Sequence, residues 1–138
     1  MSQPSEQYAY FTITDSFDPE EITRRVGVNP TDSWKKGSLH PSRGMERKFS
    51  RWSLRSRLGT DCSLEDHIKD VLSQLEQNST EFQKLAKEFG GGMQLVGYFH
   101  KGYPGLHFEA SLIEGLAKYG LSVDFDFYEL WSDGREDT

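Results

Sequence analysis

With a single cysteine, Cys62, the chain has no means of forming an internal disulfide. That usage fits a reducing cytoplasm. No apolar run approaches the ~20 residues needed to span a bilayer. The opening "MSQPSEQ" has no basic region ahead of an apolar stretch, the pattern of a signal peptide. The expectation is a cytoplasmic protein without membrane association. Surplus positive charge is missing too. Sixteen Lys and Arg against 22 Asp and Glu give a formal net charge of −6. That balance argues against general nucleic-acid binding, because attraction to phosphates needs surplus cations. It is compatible with a local basic patch.

Motifs of catalysis and cofactor binding are as scarce. The stretch "VGVNPTDSWKKGSLHPSRG" (26–44) is rich in glycine and lysine. Phosphate loops, however, place glycines after a strand and before a helix, where backbone N–H groups and the positive helix end face the anion. Here the glycine follows a helix, and neither GxxxxGK[ST] nor GxGxxG occurs. Gly27 and Pro30 are accounted for by helix termination and the turn, and Trp34 is expected to plug the edge of the core, a reading weighed against a ligand contact. Lys35, Lys36 and Arg43 could meet an anion, with a solvated basic loop as the plainer account. The histidines His40, His67, His100 and His107 include no i, i+4 pair, and no cysteine cluster accompanies them. His100 and His107 flank "KGYPG" with Glu109 close in sequence. A metal or acid/base pair there is weighed against ordinary surface histidines, which the spacing favours. Asp124 and Asp126 lack the further ligands a hard cation needs and the neighbours that would separate two carboxyl pKa values. Cys62 precedes a helix, where its thiol could be activated, but no Cys–His motif supports it, and Ser111 has no GxSxG context. The expectation is no catalytic residue, no cofactor, no metal site and no intrinsic hydrolytic activity.

What is present reads as one domain over residues 1–138, with an ordered core at about 8–131 and polar ends, including a frayed "SDGREDT" tail. In "YAYFTITD", Ala9, Phe11 and Ile13 alternate with Tyr8, Tyr10 and Thr12, which is strand periodicity. "DPEEITRRVG" has helix signals from end to end: Asp18 as N-cap, Pro19 at the first position, acids early, arginines late, and Gly27 to stop. "DSWKKG" admits a short strand, and "RKFSRWSLRSR" a secure one. "SLEDHIKDVLSQLEQNSTEFQKLAKEFGGG" predicts two helices broken at "NST", the first capped by Ser63. "MQLVGYFHKGYPGLHFEAS" predicts a hairpin of strands at 93–100 and 106–110. "SLIEGLAKYG" predicts a helix with a Ser111–Glu114 capping box and Gly120 at its end. "LSVDFDFYELW" predicts a last strand. The fold class is α+β: a largely antiparallel sheet with helices packed on one face, its central part compatible with a ferredoxin-like core.

The junction "DPEEITRRVGVNPTDSWKKG", the Trp52 strand, the "LEDHIKDVLSQLE" helix and the closing "LAKYGLSVDFDFY" together resemble the bacterial family known as domain of unknown function 4279. The likeness runs from about Tyr8 to Tyr128. It implies a compact bacterial α+β domain and carries over no catalytic or binding residue.

Side-chain parity supplies the functional clue. Trp52 and Leu54 share one strand face, while Arg47, Arg51, Arg55 and Arg57 share the other parity, with Phe49 among them, and Arg51, Arg55 and Arg57 are expected to form a row. If Phe11, Ile13, Trp52, Leu54, Phe125 and Phe127 pack under the helices, the opposite parity is free, and it is rich in Tyr and Arg. Asp124 and Asp126 form an acidic row that would hold the arginines when no partner is present. Cross-strand pairing alone, at ~0.2–1 kcal/mol per pair, would also explain these rows. The binding alternative uses Tyr8, Tyr10, Arg51, Arg55 and Tyr128, residue types enriched at interface hot spots. The expected function is therefore a non-catalytic binding or interaction protein with a protein partner, in an immunity-like or inhibitor-like role. The alternative is a small-molecule or nucleotide binder, taking a small anionic ligand on a basic, aromatic sheet face. A concave pocket with convergent Arg and Tyr would favour the ligand, and a flat face the protein.

Overall fold

A computed structural model describes residues 5–130. Trp131 and the tail "SDGREDT" lie outside the described residues. The elements in chain order are β1 (Glu6–Asp15), α1 (Pro19–Val26), β2 (Asp32–Trp34), β3 (Ser50–Arg55), α2 (Leu64–Leu75), a 3-10 turn (Glu76–Asn78), α3 (Ser79–Phe89), β4 (Gly92–Phe99), α4 (Ala110–Lys118) and β5 (Ser122–Glu129). They form a five-stranded sheet in the order β2-β3-β1-β4-β5. Every pair is antiparallel except β4–β5. The class is α+β, with helices packed against the sheet. The connectivity from β1 to β4, with strand order β4-β1-β3-β2, is ferredoxin-like. The α4–β5 unit extends that core by one parallel strand.

Local chemistry explains both ends of α1 and the start of α2. The Asp18 carboxylate accepts from the Glu20 N–H at 3.1 Å, opening α1 on Pro19. Gly27, at φ 70°, closes it in a conformation that costs glycine little. Ser63 Oγ accepts from the Asp66 N–H at 3.1 Å to open α2. The expected break in the long helical segment occurs at the 3-10 turn, where Asn78 Nδ2 donates to the Val26 carbonyl at 3.1 Å and ties the break to the end of α1. Arg25 adds ion pairs to Glu81 (2.9 Å) and Glu88 (3.1 Å) on α3.

The core lies between the sheet and α1–α3. Phe11, Trp52 and Phe82 meet edge-on or tilted, with centroids 5.6–6.3 Å apart. Trp52 is fully buried. Its indole N–H donates to Thr23 Oγ1 at 3.0 Å, so the polar end of the ring is satisfied.

Several expectations are corrected. The hairpin is absent: β4 is followed by an irregular segment and then α4, and no strand covers 106–110. In place of a second hairpin strand, the free edge of β4 is taken by β5. A parallel strand needs a crossover, which α4 supplies. The Ser111–Glu114 box does not form, because α4 begins earlier, with Glu109 as its N-cap and no side-chain capping bond. Trp34 is only half-buried and does not plug the core. Phe125 is 54% exposed and Phe127 only partly buried. The reason is coverage: α2 and α3 lie against β1 and α1 against β3, whereas α4 packs chiefly on α2. Among the described residues, no helix is long and apolar enough to cross a membrane.

Candidate functional site

The sheet face turned away from the helices carries the even-numbered residues of β1 and the odd-numbered residues of β3. Register brings Tyr10 opposite Arg55, Thr12 opposite Ser53 and Thr14 opposite Arg51. β2 adds Asp32 opposite Ser53 and Trp34 opposite Arg51. β2 is fixed at its start by Thr31, whose N–H donates to the Ser53 carbonyl and whose Oγ1 accepts from the Arg55 N–H, both at 2.8 Å. Between these strands lies an open cavity of about 250 Å³, lined by Tyr8, Tyr10, Trp34, Arg51 and Arg55, with Thr31, Asp32 and Ser53 supplying oxygen atoms.

Its wall is a set of guanidinium groups laid over aromatic rings. The Arg55 guanidinium carbon is 3.7 Å from the Tyr8 ring centre. That of Arg51 is 5.1 Å from Tyr10 and 5.3 Å from Trp34. Arg47 lies 4.2 Å over Trp34. Arg51 is also held by hydrogen bonds: Nη2 donates to the Tyr10 hydroxyl at 2.6 Å, and Nε to Ser53 Oγ at 3.1 Å and Thr12 Oγ1 at 3.3 Å. The Trp34 indole N–H donates to the Phe49 carbonyl at 3.1 Å, fixing that ring. Among the described residues, neither Arg51 nor Arg55 has a carboxylate within ion-pair distance. Arg47 Nε is buried without a hydrogen-bond partner. Burial, then the neighbouring Tyr98, pushes the Tyr8 phenol above its ordinary pKa, with Arg55 pulling the other way. Tyr8 therefore stays a neutral donor.

Of the five residues singled out by parity, Tyr8, Tyr10, Arg51 and Arg55 come together and Tyr128 does not. Tyr128 stands on β5, where its ring stacks on Tyr98 at 5.1 Å and the neighbouring Asp126 carboxylate pushes the pKa of its phenol up. Strand spacing puts β5 ~14 Å from β3. The same separation corrects the acidic row: Asp124 and Asp126 lie opposite Gln94 and Val96 and make no ion pair with the arginines. Arg57 leaves the row as well. Its strand has ended, and it turns to α2 and binds Asp70 in a forked pair at 2.7–3.2 Å. Lys35, Lys36 and Arg43 do not line the cavity.

Thr31 and Asp32 line the cavity without having been singled out by the sequence, Trp34 lines it although the sequence reads chiefly as a core plug there, and Arg47, on the arginine parity, backs the Trp34 ring without lining the cavity. Asp32 and Trp34 alternate within "DSW", but three residues do not fix which parity faces the core. Arg47 reaches Trp34 because the 37–47 segment doubles back, with paired backbone bonds of 2.8 Å between Gly37 and Arg47 and between Arg47 and Ser38. Among the described residues, no group of three or more His, Cys, Asp or Glu is arranged to hold a metal ion.

A protein-family model described as a domain of unknown function, DUF4279, matches residues 5–130. No curated protein and no solved structure matches the chain.

Proposed function

The chain belongs to the DUF4279 family, and from its geometry we propose that it is a binding protein whose outer sheet face takes the anionic group of a small molecule. The observation that carries this reading is the convergence of Arg51 and Arg55 on one cavity with no carboxylate partner among the described residues. A guanidinium already aligned by ring stacking and hydrogen bonds offers its remaining N–H groups at little further entropic cost, and its fork suits carboxylate or phosphate oxygens. At about 250 Å³ the cavity lies just below the ~300–1,000 Å³ usual for ligand sites. It suits the charged head of a ligand, with the rest of the molecule lying along the Tyr8–Tyr10 pair. Asp32 on the rim would accept from a hydroxyl or amine of the same ligand. Stacking alone, at ~0.5–1 kcal/mol per exposed cation–π contact, is the competing structural account.

The test is calorimetric titration with inorganic phosphate, mononucleotides and small carboxylic acids, on wild type and on the Arg51→Ala, Arg55→Ala double variant. Binding should weaken about a hundredfold, because hydrogen bonds to charged groups are worth ~1.5–3 kcal/mol each. Folding stability should fall by only about 1–2 kcal/mol. A ligand held equally by both proteins rejects the site.

The second reading is a protein partner, in an immunity-like or inhibitor-like role. It is favoured by the exposed Leu39, Met45 and Phe49 on the segment that leads into β3 beside the cavity. A stable partner recovered from cells, with no response to small anions, would favour it. In both readings we take the protein to be bacterial, cytoplasmic and non-catalytic, in line with its lone cysteine and its lack of nucleophile motifs.

A further inference from the structure

Beyond the outer-face cavity, we propose that the free edge of β5 is a strand-addition site for an extended cationic peptide in which Lys or Arg alternates with apolar residues. β5 ends the sheet, so along Ser122–Glu129 only the β4 side of its backbone is paired among the described residues. Among the described residues, no strand pairs with the alternate N–H and C=O groups on the other side, the groups that strand addition uses. Proteins usually blunt such an edge by shortening it or by placing proline, lysine or a bulge on it. β5 is eight residues long, pairs with β4 in unbroken register from Ser122 to Glu129, and contains neither proline nor lysine.

What it carries instead is negative charge and aromatic surface, sorted by face. Asp124, Asp126 and Tyr128 project on the outer face, and Val123, Phe125 and Phe127 on the helix side. The strand bears three carboxylates and no cation. Among the described residues, neither Asp124 nor Asp126 has an ion-pair partner. On the other face Phe125 is 54% exposed, Phe127 stacks on Tyr103, and Tyr103 is itself 56% exposed. Residues directly opposite in a strand pair share a face. A peptide laid along β5 would therefore set cations at alternate positions beside Asp124 and Asp126, with a third over the Tyr128 ring. Its intervening apolar residues would cover Phe125 and Phe127.

The same pattern disfavours a second copy of this chain as the occupant. Pairing two β5 strands would bring six carboxylates onto one seam, and like charges facing each other destabilise a ladder. Complementary charge is the selective feature.

The experiment measures fluorescence anisotropy of a labelled heptapeptide of alternating lysine and valine with the full chain. Three comparison peptides are used: an alternating glutamate–valine peptide, a peptide of the same composition with its lysines in one block, and the lysine–valine peptide N-methylated on every residue, which leaves neither edge a backbone donor. Saturable binding of the first alone is expected. It should fall by at least about tenfold in Asp124→Asn, Asp126→Asn, and with a rise from low to physiological salt. Arg51→Ala, Arg55→Ala should bind the peptide normally, which separates this site from the cavity. Equal binding of the N-methylated peptide would overturn strand addition without any variant having to fold. So would binding unchanged by the double Asn variant, an absence of binding, or sedimentation as a dimer dissociated by the peptide.

Discussion

Replacing Trp52 by alanine should remove a large part of the folding free energy. The side chain is fully buried, touching Phe11 and Phe82 on two elements. Burial of an aromatic of this size, ~200 Å² at ~25 cal/mol per Å², is worth about 5 kcal/mol. Measured truncations of buried aromatics cost ~3–5 kcal/mol. Against the ~5–15 kcal/mol of an ordinary domain, that leaves a marginal protein. The assay is urea denaturation followed by far-UV circular dichroism, since the substitution itself alters the fluorescence. The indole bond supplies a finer test. Thr23→Val strands the Trp52 N–H, whose acceptor lies at 3.0 Å, and should cost about 1–3 kcal/mol. In a Trp52→Phe background the same change should cost much less, because no buried donor is left behind. A Trp52→Ala effect below about 1 kcal/mol, in the range of surface sites, would refute the placement of this ring at the centre of the core. Additivity of Thr23→Val and Trp52→Phe would refute the bond.

His67 is buried on α2 with Nδ1 2.7 Å from Ser56 Oγ and Nε2 unpartnered. Burial, then the positive charge of Arg55, lowers its pKa, with the Gly59 backbone, then Asp70 and Asp66, acting in the opposite direction. The unfolded chain therefore takes up this proton first, and stability should decline as pH falls below the ordinary histidine value of ~6.5. Unfolding free energies between about pH 5 and 7.5 should give a shallower slope in His67→Leu than in wild type, and an unchanged slope would dismiss the assignment. Tyr119 is buried, and its hydroxyl donates to Glu76 Oε2 at 2.6 Å. Burial and that bond push its pKa to about 12. Spectrophotometric titration should show a late tyrosine that disappears in Tyr119→Phe, and stability should decline as pH rises above the ordinary tyrosine value of ~10.

Elements whose signals are local are legible in the order of the residues. α1 is written in Asp18, Pro19 and Gly27, and α2 in Ser63 and its apolar stripe. The facing of β1 and β3 follows from strict alternation, which is why Tyr8, Tyr10, Arg51 and Arg55 read from the residues alone as one surface. Tertiary structure alone decided what depends on neighbours distant in the chain. Only strand order separates Tyr128, Asp124 and Asp126 from the arginines, because residues on one face of a sheet can stand several strand widths apart. Only coverage by helices distinguishes Phe125 from Phe11, since both alternate correctly but α2 and α3 reach β1 and leave β5 open. The partner of β4 also depends on the tertiary fold: β5, returning through the α4 crossover, takes the edge that the hairpin reading gave to 106–110. Trp34 joined the cavity because three residues carry no parity of their own, and pairing with Arg51 across β3 supplied it.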